Sequence, residues 1–341
     1  RSGPLLAGCP YGRHRMNEDE LLERRYRAVL RLLPESYRRE REDEMVAAFL
    51  EAAGHAPDAD NPRPRWGEVG SVVALAVRLR LGGPDAAPRA FAHGAAVRLM
   101  ALLGLAFLAA ISVLTAVHQG SAVLAGVQQA GDLLTGAPGS ADRLLFLLDA
   151  VESGCWVVAF TTLARGHSRT AGRIAVLALV AVAGSTAVRL AVDPAPWPQT
   201  FMWLTLTTVL VLVLLLGHHR DARPVALPWH RTAAPLAAGG VAGVFLPHTA
   251  PGTWSQLWTD PVGVGVSALA AGAVVCAVRR SSAPWRLALA MLAALLMAVR
   301  LMDLSDAYGP FLITGLAQVV LLAVLTVGLG LTGRRALPSA V

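Results

Sequence analysis

After Arg98 the chain passes through eight apolar stretches separated by short polar turns, and this succession limits its fold more than any motif does. Lipid offers no partner for backbone N–H and C=O groups, so a spanning segment must close its own hydrogen bonds as a helix. We place the spans near 97–117, 144–164, 174–192, 201–217, 233–247, 261–278, 287–302 and 310–331. Hydrophobic residues make up 55% of the 341-residue chain and charged residues only 16%, whereas soluble domains carry about a quarter charged residues. The chain therefore reads as an all-α, polytopic membrane protein with about eight transmembrane helices, its chief partner the lipid bilayer. Several spans fall short of the roughly 20 residues a crossing usually takes. The fifth, AAPLAAGGVAGVFLP, is the weakest.

Charge asymmetry tests that fifth run independently. With eight crossings and a cytoplasmic N-terminus, one side receives Arg165, Arg169, Arg173, Arg220, Arg223, Arg231, Arg279, Arg280, Arg286, Arg334 and Arg335, and the other receives Arg143 alone. Removing the fifth crossing would send the arginines that follow it outside. The positive-inside rule therefore favours eight spans, multi-pass in a bacterial inner (cell) membrane, with N- and C-termini cytoplasmic. The net charge of +7 belongs to these clusters, which argues against a nucleic-acid partner. Trp197, Trp254, Trp258 and Tyr308 fall in the outer loops, where an interfacial aromatic belt is expected.

Ahead of the spans, residues 1–15 read as a disordered leader and residues 16–90 as a small cytoplasmic helical domain. Asn17 and Glu20 make a capping box for ELLERRYRAVLRLL, whose Leu22, Tyr26, Val29, Leu30 and Leu33 form one stripe. Pro34 opens a second helix that runs to Gly54, with Tyr37, Met45, Ala48, Phe49 and Ala52 on its apolar face. The mixed charges from Arg38 to Glu44 read as a solvated surface. A Pro-rich linker, HAPDADNPRPR, leads to a third helix, WGEVGSVVALAVRLRLG, which either packs on the first two or lies at the membrane interface. The arginines near its end favour the interface.

The stretch AVRLMDLSD, 298–306, sets Arg300 and Asp303 at the end of an apolar run, where charge is costly and usually functional. An earlier AVRL carries Arg189, with Asp193 four residues on. The offset holds elsewhere: Arg173 to Arg286 is 113 residues, Arg189 to Arg300 is 111, Gly217 to Gly330 is 113 and Asp149 to Asp260 is 111. This predicts a duplicated four-helix unit, 91–217 and 218–341. Because four is even, the two copies are parallel repeats related by an axis along the membrane normal.

Arg189 with Asp193, and Arg300 with Asp303, have spacings that put each pair on one helical face. Asp149 and Glu152 enter the second span from the same outer side, so all six share one layer. That layer is either structural, with arginines snorkelling to local acids, or an outward polar site with Glu152 deepest. His218, His219 and His230 share a loop, but no acid or Cys completes a metal set, and Cys9, Cys155 and Cys276 form no CxxC pattern. No GxxxxGK[ST], GxSxG or HExxH motif occurs, so neither a cofactor nor an enzymatic activity is expected.

The segment RLLPESYRREREDEMVAAFLEAA resembles the short helical prefix that precedes the membrane region of many actinobacterial membrane proteins and some permeases, and more loosely the HAAS-like signalling helices encoded beside PadR-type regulators. Leu33, Pro34, Tyr37, Arg38, Glu44 and Met45 carry the pattern. The resemblance implies a cytoplasmic interaction module, with Tyr37, Arg38, Glu44 and Met45 facing a regulatory protein partner. Export permeases with this prefix carry a large extracytoplasmic domain after the first span, where this chain has only residues 118–143. The expected function is signalling or regulation through the prefix; the alternative is a transporter or permease subunit with an outward-facing polar site between the repeats.

Overall fold

The computed structural model describes residues 11–53, 65–82, 88–124, 140–192, 198–218, 227–245, 256–304 and 309–337, and all regular structure among them is helical. Two compact units are present, dividing between Phe91 and Ala92.

The first unit holds α1 (Tyr11–Leu30), α2 (Glu35–Ala53) and α3 (Trp66–Arg80). Its core is Leu22, Tyr26, Leu30, Leu33, Val46, Phe49, Val72, Ala76 and Leu79, with the rings of Tyr26 and Phe49 stacked 3.9 Å apart. The α1 stripe is as the periodicity predicts. On α2 the face turns toward Val46, leaving Ala48 and Ala52 exposed, because a methyl group gains little from burial compared with a branched side chain. The third helix packs on the first two, burying Val72, Ala76 and Leu79, and Arg80 Nη2 donates to the Leu32 carbonyl at 3.0 Å. That hydrogen bond ties the end of α3 to the α1–α2 turn.

Two local expectations are corrected. Helix α1 begins at Tyr11, so Asn17 lies inside it and cannot act as its N-cap. Residues 11–15 therefore belong to the helix. The Gly54 cap, the Pro-rich linker, residues 1–10 and the aromatics Trp197, Trp254 and Tyr308 lie outside the described residues.

The second unit is the membrane body. Six helices among the described residues are long and apolar enough to cross a membrane: α4 (Pro88–Leu124), over Pro88–Val117; α5 (Ala141–Ala164); α6 (Ser168–Val192); α10 (Pro261–Val278); α11 (Ala283–Asp303); and α12 (Pro310–Arg335), over Phe311–Arg335. The chain is thus a multi-pass membrane protein. Helix α7 (Pro198–Gly217) offers a shorter apolar segment, Phe201–Gly217, and α8 (Trp229–Phe245), with Pro235 inside it, does not meet the criterion. A single turn, α9 (Gln256–Thr259), precedes α10.

One apolar core runs through the body, built around Leu105, Leu108, Trp156, Phe160, Leu210, Leu214, Val266 and Leu296. The most extensive helix pairs are α5 with α6 and α11 with α12. Small residues make the first possible: Ala171, Ala175 and Ala178 recur on one face of α6 and are fully buried. Helix α8 approaches α4 at Gly239, where any Cβ would collide with the Ala110 backbone. The α5–α6 and α10–α11 turns share a pattern. Gly166 N and His167 N donate to the Leu163 and Thr162 carbonyls at 2.9 Å, as Arg280 N and Ser281 N donate to those of Ala277 and Cys276 at 3.4 and 3.1 Å. Both turns place a residue in the left-handed region, Gly166 at φ 88° and Arg280 at φ 47°.

Candidate functional site

The charged layer resolves into three arrangements. On the first, Arg189 near the end of α6 donates from Nη2 to Asp149 Oδ2 of α5 at 3.1 Å, and both side chains are nearly half exposed, at 47% and 43%. The expected same-helix partner, Asp193, lies beyond the end of α6 and outside the described residues. Arg189 therefore ties two helices together, reaching across a tightly packed pair.

The second arrangement is a hub around Arg300, whose side chain is 1% exposed. Its Nη1 donates to Asp303 Oδ2 at 2.7 Å, one turn on, as the three-residue spacing predicts. Its Nη2 donates to both oxygens of Asp260 at 2.9 Å and lies 3.4 Å from the Leu257 carbonyl. The fully buried Gln318 of α12 donates to that same carbonyl at 2.7 Å. Asp260 also caps α10, accepting from Gly263 N at 2.6 Å, and Gly263 lets the α9 carbonyl come in where a Cβ would strike it. One guanidinium thus holds α9, α10 and α11 together, with α12 joined through Gln318. Arg300 Nε and Gln318 Oε1 are buried without a partner among the described residues.

The third is Glu152, buried in α5. Its Oε1 accepts from Trp156 Nε1 at 3.1 Å and from Trp203 Nε1 of α7 at 2.7 Å. Two indole donors give a carboxylate hydrogen bonds to replace water, which relieves part of the cost of burying it. Glu152 is therefore a joint between α5 and α7 as it stands.

Sequence reasoning reaches Arg300–Asp303 and, through the constant offset, Asp260 as the counterpart of Asp149. It misses Gln318, Trp156 and Trp203. A lone glutamine in LITGLAQVVLLAVL is a usable signal, because an amide in an apolar run needs a partner; the indoles carry none.

In the first unit the four candidate partner-binding residues differ in exposure. Tyr37 and Met45 pack against the module core, Arg38 is half-buried beside Glu42 at 4.0 Å, and Glu44 is exposed with Arg41 at 4.0 Å. The outward apolar residues lie on α3 instead: Trp66 is 90% exposed and Val73, seven residues on, is 42% exposed. Among the described residues no group of three or more His, Cys, Asp or Glu converges as a metal site would require. No family model, curated protein or solved structure matches the chain.

Proposed function

We propose that the chain is a signalling or regulatory protein of a bacterial inner membrane that binds a soluble cytoplasmic partner through its N-terminal helical module. The observation that carries this reading is the module's build. It has a core of its own, and α3 closes that core with one face while turning Trp66 and Val73 outward with the other. An exposed tryptophan with an aliphatic neighbour two turns on, between Glu68 and Arg78, suits an aromatic anchor within a polar rim. The resemblance of residues 31–53 to helical prefixes agrees with it.

The membrane body, on this reading, makes eight crossings as two parallel four-helix repeats with both termini cytoplasmic. Three findings support the repeat: the ion pairs Asp149–Arg189 and Asp260–Arg300 each span 40 residues, the α5–α6 and α10–α11 turns share their hydrogen-bond pattern, and both turns border one cavity. Turns on the same side require an even number of crossings between them, which α6, α7, α8 and α10 supply. The pairing of Arg300 with Asp260 and Asp303, and of Glu152 with Trp156 and Trp203, supports a structural role for the charged layer over a transport site.

Affinity purification of the full chain from membranes tests the proposal. Trp66→Glu with Val73→Glu should remove a co-purifying soluble protein that the wild type and Glu152→Gln retain. Unchanged co-purification, or loss of solute movement with Glu152→Gln alone, would favour the transporter.

A further inference from the structure

At the end of the bundle opposite the charged layer, a cavity of about 330 Å³ opens where the α5–α6 turn faces the α10–α11 turn. Its walls are largely apolar, with Leu99, Leu102 and Leu163 among them, and its polar groups are Arg98, Ser168, His218 and Ser282. No carboxylate occurs in the segments that line it, 95–102, 163–168 and 282–285, while Arg165, Arg169, Arg279, Arg280 and Arg286 surround its mouth in sequence.

Two further features distinguish this cavity from a packing gap. First, Arg98 makes no ion pair or hydrogen bond among the described residues, although it is partly buried in the cavity wall. Second, Ser282 is the N-cap of α11 yet its hydroxyl does not cap, whereas Ser140 and Asp260 each accept from their own helix, at Arg143 N and Gly263 N. The starts of α6, at Ser168, and α11, at Ser282, both reach the cavity, so two positive helix ends converge on it alongside a guanidinium. This donor set, all positive or neutral with no competing acid, is complementary to a phosphate, and the leucine wall is complementary to an alkyl chain.

We propose that this cavity binds a phosphate-bearing anion, with Arg98 as its principal ligand and the Ser168 and Ser282 hydroxyls as secondary donors. The phosphate is supplied by the headgroup of an acidic phospholipid or by a soluble phosphate. The site ties the α5–α6 turn to the α10–α11 turn, and its occupancy stabilises the contact between the two parts of the body.

The test uses the full chain, purified in a neutral detergent and stripped of lipid, with thermal unfolding followed during addition of phosphatidylglycerol, phosphatidylcholine or sodium phosphate. Phosphatidylglycerol should raise the unfolding temperature where phosphatidylcholine does not. Arg98→Gln should weaken the apparent affinity by about tenfold or more, the scale of one charge-assisted hydrogen bond. Arg98→Lys should restore part of it, and Ser282→Leu should weaken binding without altering the charge. Arg335→Gln, at the end of α12 and outside the cavity lining, should leave the affinity unchanged. Stabilisation by sodium phosphate to the same extent would assign a soluble phosphate as the source; stabilisation by the lipid alone would assign the headgroup. Equal response to both lipids with none to phosphate, or equal weakening by Arg98→Gln and Arg335→Gln, would overturn the site and leave only the general attraction of a basic surface.

Discussion

Arg189 and Arg300 occupy matching places in the membrane body, each near the end of a helix and each paired with an aspartate 40 residues earlier, yet one pair is half exposed and the other is sealed. The difference follows from what surrounds them. In the first part α5 and α6 pack along an alanine face, and the Asp149–Arg189 pair sits at the rim of a contact that apolar packing already makes. In the second part α10 and α11 pack less extensively, α11 turning instead toward α12, and Arg300 supplies the connection to α9 and α10. At the repeat offset Glu152 corresponds to Gly263. An acid that reaches two indoles in the first part stands where the second has a glycine that admits a carbonyl. Where packing is rich, charge is peripheral; where it is poor, charge is central.

Removing each arginine is the strongest challenge to this contrast. Arg300→Leu leaves Asp260 and Asp303, which are 25% and 16% exposed, without a cation, and breaking a largely buried pair in this way costs up to about 3–5 kcal/mol. Arg189→Leu should cost no more than about 1 kcal/mol, the usual value of an exposed pair. Thermal unfolding of the two variants in one detergent compares them, and similar losses would show that the layer carries equal load in both parts. Next in size is Glu152→Leu, which strands two indole N–H groups at about 1–3 kcal/mol each. Glu152→Gln keeps an accepting oxygen and should stay close to wild type, and Trp156 and Trp203 fluorescence reports the change of environment. A large loss with Gln would mean that the negative charge itself is required.

The turns give the smallest effect. Arg280 holds a left-handed φ of 47° where the matching turn has Gly166, so Arg280→Gly should stabilise the chain by about 1 kcal/mol and Gly166→Ala should destabilise it by a similar amount. Equal and opposite shifts in unfolding temperature would sharpen the correspondence; a loss in both would break it.

Much of this was legible in the residues. The span limits follow apolar length, so α10 falls where the pattern places it, at Pro261–Val278, and α5 and α12 within a few residues. Arg300–Asp303 is a one-turn pair, and helical spacing predicts such contacts. The same spacing points Arg189 to Asp193, which lies outside the described residues, and the shared layer holds Asp149 without singling it out as the partner, because a contact between helices depends on rotation about their axes, which composition does not reveal. Val46 displaces Ala48 on α2 for a related reason: alanines are too small to mark which side of a helix faces inward. The third helix, apolar on most sides, offers two faces, and only packing decides that Val72, Ala76 and Leu79 go to the core and Trp66 outward.

The proposed matched orientation of two four-helix copies is the centre of this account, and substituted-cysteine labelling tests it most directly. With the native cysteines replaced, His167→Cys and Ser281→Cys place single thiols on the two matching turns, to be probed in intact cells with a membrane-impermeant maleimide. The account predicts that neither is labelled until the membrane is opened, and that both are labelled then. Labelling of Ser281→Cys from outside, with His167→Cys still protected, would put the two turns on opposite faces and contradict the parallel repeat.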